Sequence, residues 1–158
     1  MTTRRRFLGL LGGGAALAGA AAAIRLSTGG SAVSAFPEID YGAEQCSHCT
    51  MPIDDARFAA AWRRGREERH FDDIGCMVSA YHRAGADATV RCFVHDFHSQ
   101  GWIDATAATY VLSPAIKTPM AYGVFAIADG AGAAAHAGHS GLIHYGWSEL
   151  LASLERKG

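Results

Sequence analysis

The N-terminal tract, residues 1–25, most limits what this chain can fold into. Three consecutive arginines, Arg4 to Arg6, stand directly before a weakly hydrophobic run of mostly alanine and glycine, Phe7 to Ile24. This order is typical of a twin-arginine export signal, in which a receptor reads the arginines. A membrane-spanning helix needs about 20 strongly apolar residues, and the glycine content of this run argues against one. We therefore predict an export signal that is separate from the folded core.

A cleavage site is predicted near the end of this signal. Val33-Ser34-Ala35 has the small residues that signal peptidase recognises, so we expect the mature protein to begin at Phe36. An uncleaved signal would instead anchor the protein in the membrane. Because no cysteine precedes Cys46, lipid attachment through an N-terminal cysteine is not expected. The predicted organisation is a twin-arginine-type signal or anchor over 1–35, a linker over 36–45 and one domain over 46–158.

The composition excludes several classes of function. Charge is nearly balanced, with 14 Lys plus Arg against 15 Asp plus Glu, whereas a nucleic-acid-binding protein normally has a net basic face. The glycine- and alanine-rich segment 130–138 lacks the lysine and hydroxyl of a phosphate-binding loop, and no catalytic triad stands out by spacing. We therefore predict a protein that is not an enzyme and does not bind nucleic acid.

The first half of the domain shows patterns of both strands and helices. Apolar residues alternate from Arg57 to Phe71 around Gly65, which predicts a hairpin. Asp72 or Asp73 is a suitable N-cap for a helix near Ile74–Arg83, and a further strand is predicted over Val90–Phe97.

A similar order follows in the second half. It comprises a strand with a break over 102–112, a strand over 122–128, a helical segment over 129–138, a strand over 142–147 and a last helix that Ser148 caps. The chain thus predicts an α+β fold with two consecutive strand-strand-helix-strand units.

The motif Cys46-Ser-His-Cys49-Thr-Met51 carries the chemistry. Two thiols separated by two residues can meet on one metal ion, and a thioether follows two positions later. Soft sulfur donors favour Cu(I), whereas a neutral thioether has little affinity for harder ions. The added methionine therefore favours copper.

Other roles for the cysteines remain open at this point. A closed zinc site needs four ligands, and the chain has no second Cys-x-x-Cys pair. Disulfides are possible in an oxidising compartment. A thiol-disulfide oxidoreductase that uses the Cys46–Cys49 pair is the main alternative, although Pro52 prevents a long helix across the motif. Cys76 and Met77 are interpreted mainly as core residues, with a second soft-metal site or closure of the first as the alternative, and Cys92 is interpreted as a core residue.

Several motifs together resemble the NosL family. They are Cys46-Ser-His-Cys49-Thr-Met51, Phe71-Asp-Asp-Ile-Gly-Cys76-Met77, Val94-His-Asp96-Phe97, Trp102-Ile-Asp104-Ala105, Ala108-Thr-Tyr110-Val111 and Thr118-Pro-Met120. The resemblance covers about Cys46 to Trp147. It implies a periplasmic Cu(I) chaperone that supplies nitrous oxide reductase or its maturation machinery. It also implies a fold similar to part of organomercurial lyase.

The resemblance implies a ligand set as well. The Cys-x-Met step of the family falls on Cys49 and Met51, and the methionine of its Thr-Pro-Met motif falls on Met120. We expect these three residues to form the core of the copper site, with Cys46 as a fourth ligand or an exchange partner. The family often has glycine where this chain has Thr50, which predicts a stiffer loop. Contact with a membrane is expected only if the N-terminal signal is retained.

Overall fold

The computed structural model describes residues 35–128 and 143–155. The predicted export signal, apart from Ala35, and the predicted helical segment over 129–138 lie outside the described residues. Among the residues that are described, no helix has both the length and the apolar character needed to span a bilayer.

The first sheet begins with the predicted hairpin. Strands β1 (Ala60–Arg64) and β2 (Glu67–Phe71) pair antiparallel, and Gly65 lies in the turn at φ +60. The positive φ explains the glycine, because a residue with a side chain is strained in this conformation. β3 (Arg91–His95) pairs with the other edge of β1, and β4 (Trp102–Asp104) pairs with β3, which gives the order β2-β1-β3-β4.

Helix α1 (Ile74–Arg83) follows β2 directly. Its N-cap is Asp73, whose carboxylate accepts a hydrogen bond from Gly75 N at 2.8 Å. Just beyond its C-terminal end, Gly85 has φ +55. The predicted helix and its capping are thus confirmed. Asp72, the other candidate for the cap, is left free to face the neighbouring loop.

The second sheet contains β5 (Thr109–Leu112), β6 (Val124–Ile127) and β7 (Ile143–Tyr145), in the antiparallel order β6-β5-β7. The break predicted within 102–112 is where the chain passes from one sheet to the other. The two sheets share a strand order: in each, the strand that comes first in the sequence lies between the second and the third. This correspondence agrees with two related units, and the α+β prediction is confirmed.

Helix α2 (Trp147–Glu155) starts two residues earlier than a cap at Ser148 predicts. Gly146 provides the carbonyl that accepts from Leu150 N, and the Glu149 carboxylate accepts from Gly146 N at 2.8 Å. The expectation that Ser148 caps this helix was therefore wrong. Gly146 is the N-cap residue, and the Glu149 carboxylate, three residues later, accepts a hydrogen bond from its N–H as the acidic residue of a capping box does.

The two sheets share one buried core with the helices. Asp96, at the end of β3, joins them: one of its carboxylate oxygens accepts from Ala128 N at 2.9 Å, and Phe97 N donates to Ala126 O at 2.8 Å. Within residues 36–45, Phe36 packs edge-on against Phe93. These contacts hold the chain that precedes the cysteine motif against the first sheet.

Candidate metal centre

The cysteine motif lies on a tight hairpin-like loop, residues 44–53, called here the Cys loop. Three backbone hydrogen bonds close the loop. Ile53 N donates to Glu44 O at 3.0 Å, Cys46 N to Met51 O at 2.8 Å and Thr50 N to Cys46 O at 3.0 Å. Thr50 has φ 65, a left-handed conformation that a β-branched residue rarely adopts. The turn is therefore tight enough to require a conformation that favours glycine.

The Cys loop is attached to the edge of the first sheet. Ser47 N donates to His70 O in β2 at 2.9 Å. The His70 side chain also pairs with the carboxylate of Glu44 at the start of the loop. These two contacts place the loop beside the point where β2 ends and α1 begins.

Four side chains meet at this junction and form what we call the thiol–carboxylate cluster: Cys46, Cys49, Asp72 and Cys76. One ligand atom from each lies within 4.8 Å of all the others. Sulfur atoms that share one metal ion lie about 4 Å apart when the metal–sulfur bond is about 2.3 Å. A shift of less than about 1 Å would thus bring the three sulfurs onto one ion.

The cluster is enclosed by the fold. Cys46, Asp72 and Cys76 are buried and Cys49 is half-buried. Both carboxylate oxygens of Asp72 lie 3.3 Å from the Cys49 sulfur, which donates its proton to them. Asp72 precedes the N-cap of α1 and Cys76 lies in the first turn of the helix, so the junction of β2 and α1 brings both side chains to the Cys loop.

The electrostatics of the cluster distinguish its sulfurs. A hydrogen bond from Cys76 lowers the pKa of the Cys46 thiol to about 6 against the opposing effect of burial, and the backbone N–H of Cys49 adds to the lowering. The N–H groups of His48 and Cys49 lie 3.4 and 3.5 Å from the Cys46 sulfur. These contacts lower the pKa of Cys46 below that of the other two thiols, so Cys46 is the first of the three to ionise.

The other two sulfurs stay protonated. The hydrogen bond to Cys46 raises the pKa of Cys76, and burial raises it further. Burial also raises the pKa of Cys49 to about 11, with contributions from Cys46 and Asp72. Two thiols thus surround one thiolate, and a metal ion that binds all three sulfurs must displace two protons.

The two candidate methionine ligands are exposed. Met51 is 54% exposed and Met120 is 40% exposed, which is unusual for large apolar side chains in this fold. The backbone of each is nonetheless fixed. Met51 O accepts from Cys46 N, and Met120 N donates to the Asp73 carboxylate at 3.0 Å. The structure therefore brings Cys46 and Cys49 into one cluster, fixes the backbone of Met51 within the Cys loop and attaches the backbone of Met120 to Asp73.

Asp73 attaches the loop that carries Met120, residues 113–123, called here the Met loop. The same Oδ2 atom accepts from the Thr118 hydroxyl at 2.6 Å and from Met120 N, while Oδ1 caps α1. Gly123 in this loop has φ +68, and a Cβ there would lie 2.6 Å from Ser113 O. The Met loop is thus closely packed against the start of α1.

Neither Asp72 nor Cys76 belongs to the ligand set expected from the sequence. Asp72 was considered only as an N-cap, and Cys76 mainly as a core residue, with closure of the first metal site or a second site as the alternative. No short-range sequence pattern indicates that they meet the Cys loop, because that loop docks on β2 through a contact between distant parts of the chain. The expectation that Cys92 is a core residue is confirmed, because it is buried in the main core and lies outside the cluster.

The fold and the site define a class: an α+β protein with a soft-donor metal centre at the junction of a strand and a helix. The family model NosL matches residues 21–153, and the chain belongs to the NosL family. The family predicted from the motifs is thereby confirmed.

A solved structure supports the fold. The crystal structure of the copper chaperone NosL from Shewanella denitrificans is similar, with a TM-score of 0.61 and 16% sequence identity. The match covers 72% of this chain and 94% of that chain. At this identity the likeness concerns the fold. No curated protein matches the sequence.

Proposed function

We propose that this protein is a copper chaperone that binds Cu(I) and passes it to nitrous oxide reductase or to the machinery that matures it. Membership of the NosL family, which is extracytoplasmic, supports this function. The similar structure from Shewanella denitrificans is itself described as a copper chaperone. The observation that carries the proposal is the thiol–carboxylate cluster, because it places both motif cysteines in one soft-donor centre.

The proposed ligands are Cys46, Cys49, Met51 and Met120. Cu(I) prefers soft thiolate and thioether donors, and these four residues provide two of each. Cys46 offers a thiolate before copper arrives, whereas Cys49 releases its proton when it binds the metal. The two thioethers are neutral, so they add donors without adding charge.

The exposure of the methionines supports a role in transfer. An acceptor protein can approach Met51 and Met120 from solvent, whereas Cys46 is only 2% exposed. Replacing a neutral thioether on Cu(I) separates no charge, and replacing a thiolate does. We therefore expect copper to leave by exchange at the methionine side, with the thiolate of Cys46 the last to release it.

Export by a twin-arginine-type signal over 1–35 is part of the proposal. A twin-arginine route transports folded proteins, which is compatible with a buried centre that forms before export. Cleavage before Phe36 would keep the residues that pack on the first sheet, including Tyr41, whose hydroxyl donates to His95 Nε2 at 2.7 Å.

The low pKa of Cys46 is also what a thiol-disulfide oxidoreductase requires, so that alternative is tested alongside. In such enzymes the reactive thiolate is stabilised at a helix N-terminus. Here Cys46 and Cys49 lie on the turn of the Cys loop, and the nearest helix start carries Asp72 and Asp73. Acidic side chains at that position do not favour a reactive thiolate.

The test is an anaerobic competition titration of the reduced full chain with a chromophoric Cu(I) chelator, together with Cys46→Ser and Met120→Leu. Tight one-to-one binding is expected, with a loss of more than about 100-fold for Cys46→Ser, since even outer-sphere partners contribute 10- to 100-fold. Transfer of the bound copper to copper-free nitrous oxide reductase is then followed. Weak binding in the parent protein together with rapid thiol exchange would contradict the proposal.

A further inference from the structure

We propose that Cys76 is a third sulfur ligand, so that the protein has an inner copper position formed by the sulfurs of Cys46, Cys49 and Cys76. This rests on the proposed function and deepens it. The four proposed ligands above include two exposed thioethers, whereas this position would be formed by thiolates alone. It would retain the metal, and the methionines would serve its entry and exit.

The placement of Cys76 is the first argument. Its side chain is fully buried in the first turn of α1, yet its sulfur points to the sulfurs of the Cys loop and lies within 4.8 Å of both. Cys92 provides the contrast within the same protein. It is also buried, but it lies outside the cluster, in the main core.

Rigidity of the helix start is the second argument. Gly75 packs against the ring of Tyr122 so closely that an added Cβ would lie 2.1 Å from the ring. The Tyr122 hydroxyl is also 3.0 Å from Ser79 Oγ in the next turn of α1. These contacts fix the backbone that carries Cys76, and a fixed ligand loses little conformational freedom on binding.

The chemistry of the donor set is the third argument. Cu(I) accepts three thiolates, and three sulfurs already lie near the separation that one ion requires. The protons of Cys49 and Cys76 leave to water as the metal enters. The backbone N–H groups of His48 and Cys49, which point at Cys46, stabilise the negative charge that remains on the sulfurs.

The first experiment compares Cys76→Ser with Cys92→Ser in the full chain by the anaerobic Cu(I) titration. We expect Cys76→Ser to lower Cu(I) affinity by more than about tenfold, as the loss of a direct ligand should exceed the smallest effect of an outer-sphere partner. Cys92→Ser should leave affinity unchanged. Equal affinities of Cys76→Ser and the parent protein would overturn the inference. Failure of the parent protein to bind Cu(I) would overturn the proposed function itself.

A second measurement does not depend on how well Cys76→Ser folds. Copper X-ray absorption of the Cu(I)-loaded Met51→Leu/Met120→Leu variant counts sulfur ligands in the absence of both thioethers. Three sulfur neighbours are expected from the three cysteines. Two sulfur neighbours would overturn the inner position and leave the copper-binding function in place.

Discussion

The thiol–carboxylate cluster and the two exposed methionines offer sulfur to the same kind of metal, but the fold treats them differently. Cys46 and Cys76 are buried and hydrogen-bonded to each other, and this hydrogen bond lowers the pKa of Cys46. Met51 and Met120 are neutral and reach solvent. In the proposed function, this difference would let one small domain both retain a soft metal and expose it to an acceptor. Burial and charge favour retention, and exposure favours exchange.

Both regions depend on the same short segment. Asp72 faces the Cys loop through the Cys49 sulfur, and Asp73 faces the Met loop through Thr118 and the Met120 backbone. Two adjacent carboxylates at the start of α1 thus hold the two sulfur-bearing loops. If this view is right, changes at Asp72 should affect mainly the cluster and changes at Asp73 mainly the Met loop.

Among residues that contact a proposed ligand without binding the metal, Asp72 should have the largest effect on Cu(I) affinity. Asp72→Asn keeps the size of the side chain but removes the negative charge beside Cys49. Because the Asp72 carboxylate raises the pKa of Cys49, its removal should make that thiol easier to deprotonate, and we expect Cu(I) affinity at neutral pH to rise by about tenfold. Asp54→Asn is the matched control, because Asp54 is an exposed carboxylate close to the same loop. An affinity of Asp72→Asn within twofold of the control would show that Asp72 has no role in the cluster.

A smaller and different effect is expected at Asp73. Asp73→Ser retains an N-cap for α1 but loses the carboxylate that holds Thr118 and Met120. We expect a loss of about 2 kcal/mol in the free energy of unfolding, since hydrogen bonds to a charged group contribute about that much. Denaturant unfolding of the metal-free protein measures it.

Copper binding gives the second readout for Asp73. In a double-mutant cycle, the effects of Asp73→Ser and Met120→Leu on Cu(I) affinity should be strongly non-additive. Asp73→Ser releases the backbone that positions the Met120 thioether, and Met120→Leu removes that thioether. Additive effects would indicate that Asp73 only stabilises the fold.

The difference in exposure can be tested without any metal. Mild peroxide treatment of the metal-free protein should oxidise Met51 and Met120 before Met77, because Met77 is fully buried in α1. Peptide mass spectrometry follows each methionine separately, so Met77 is an internal control. Oxidation of Met77 at the same rate would contradict the contrast between enclosed and exposed sulfur.

Sequence patterns predicted the local structure well and the site only in part. The hairpin around Gly65 and the helix over 74–83 follow from alternation, a turn glycine and a capping aspartate, all of which act over a few residues. The cluster depends on where the Cys loop docks on β2, through Ser47 N and His70 O. No short-range pattern contains that contact, so Asp72 and Cys76 could not be assigned from neighbouring residues alone.

The same limit applies to the two methionines. The family motif indicated Met51 and Met120, but not that both side chains are exposed or that Asp73 fixes the backbone of Met120. Exposure depends on the packing of the whole domain. The segment 102–112 shows the same limit. Alternating apolar residues indicate that it forms strands, but not that β4 pairs in the first sheet and β5 in the second.

The smallest expected effect is at Thr50, which lies between Cys49 and Met51. Its left-handed backbone costs a β-branched residue about 1–2 kcal/mol. Thr50→Gly removes that strain but loses about 0.5–1 kcal/mol through the greater freedom of the unfolded chain. The net expectation is a stabilisation of about 0.5 kcal/mol, or a melting temperature about 2 °C higher. Thr50→Asn should fall in between, because asparagine tolerates this conformation. Cu(I) affinity should change by less than about threefold, since the thiols of the cluster remain in place. A large loss of affinity in Thr50→Gly would mean that a stiff Cys loop, rather than burial of the thiols, is what retains the metal.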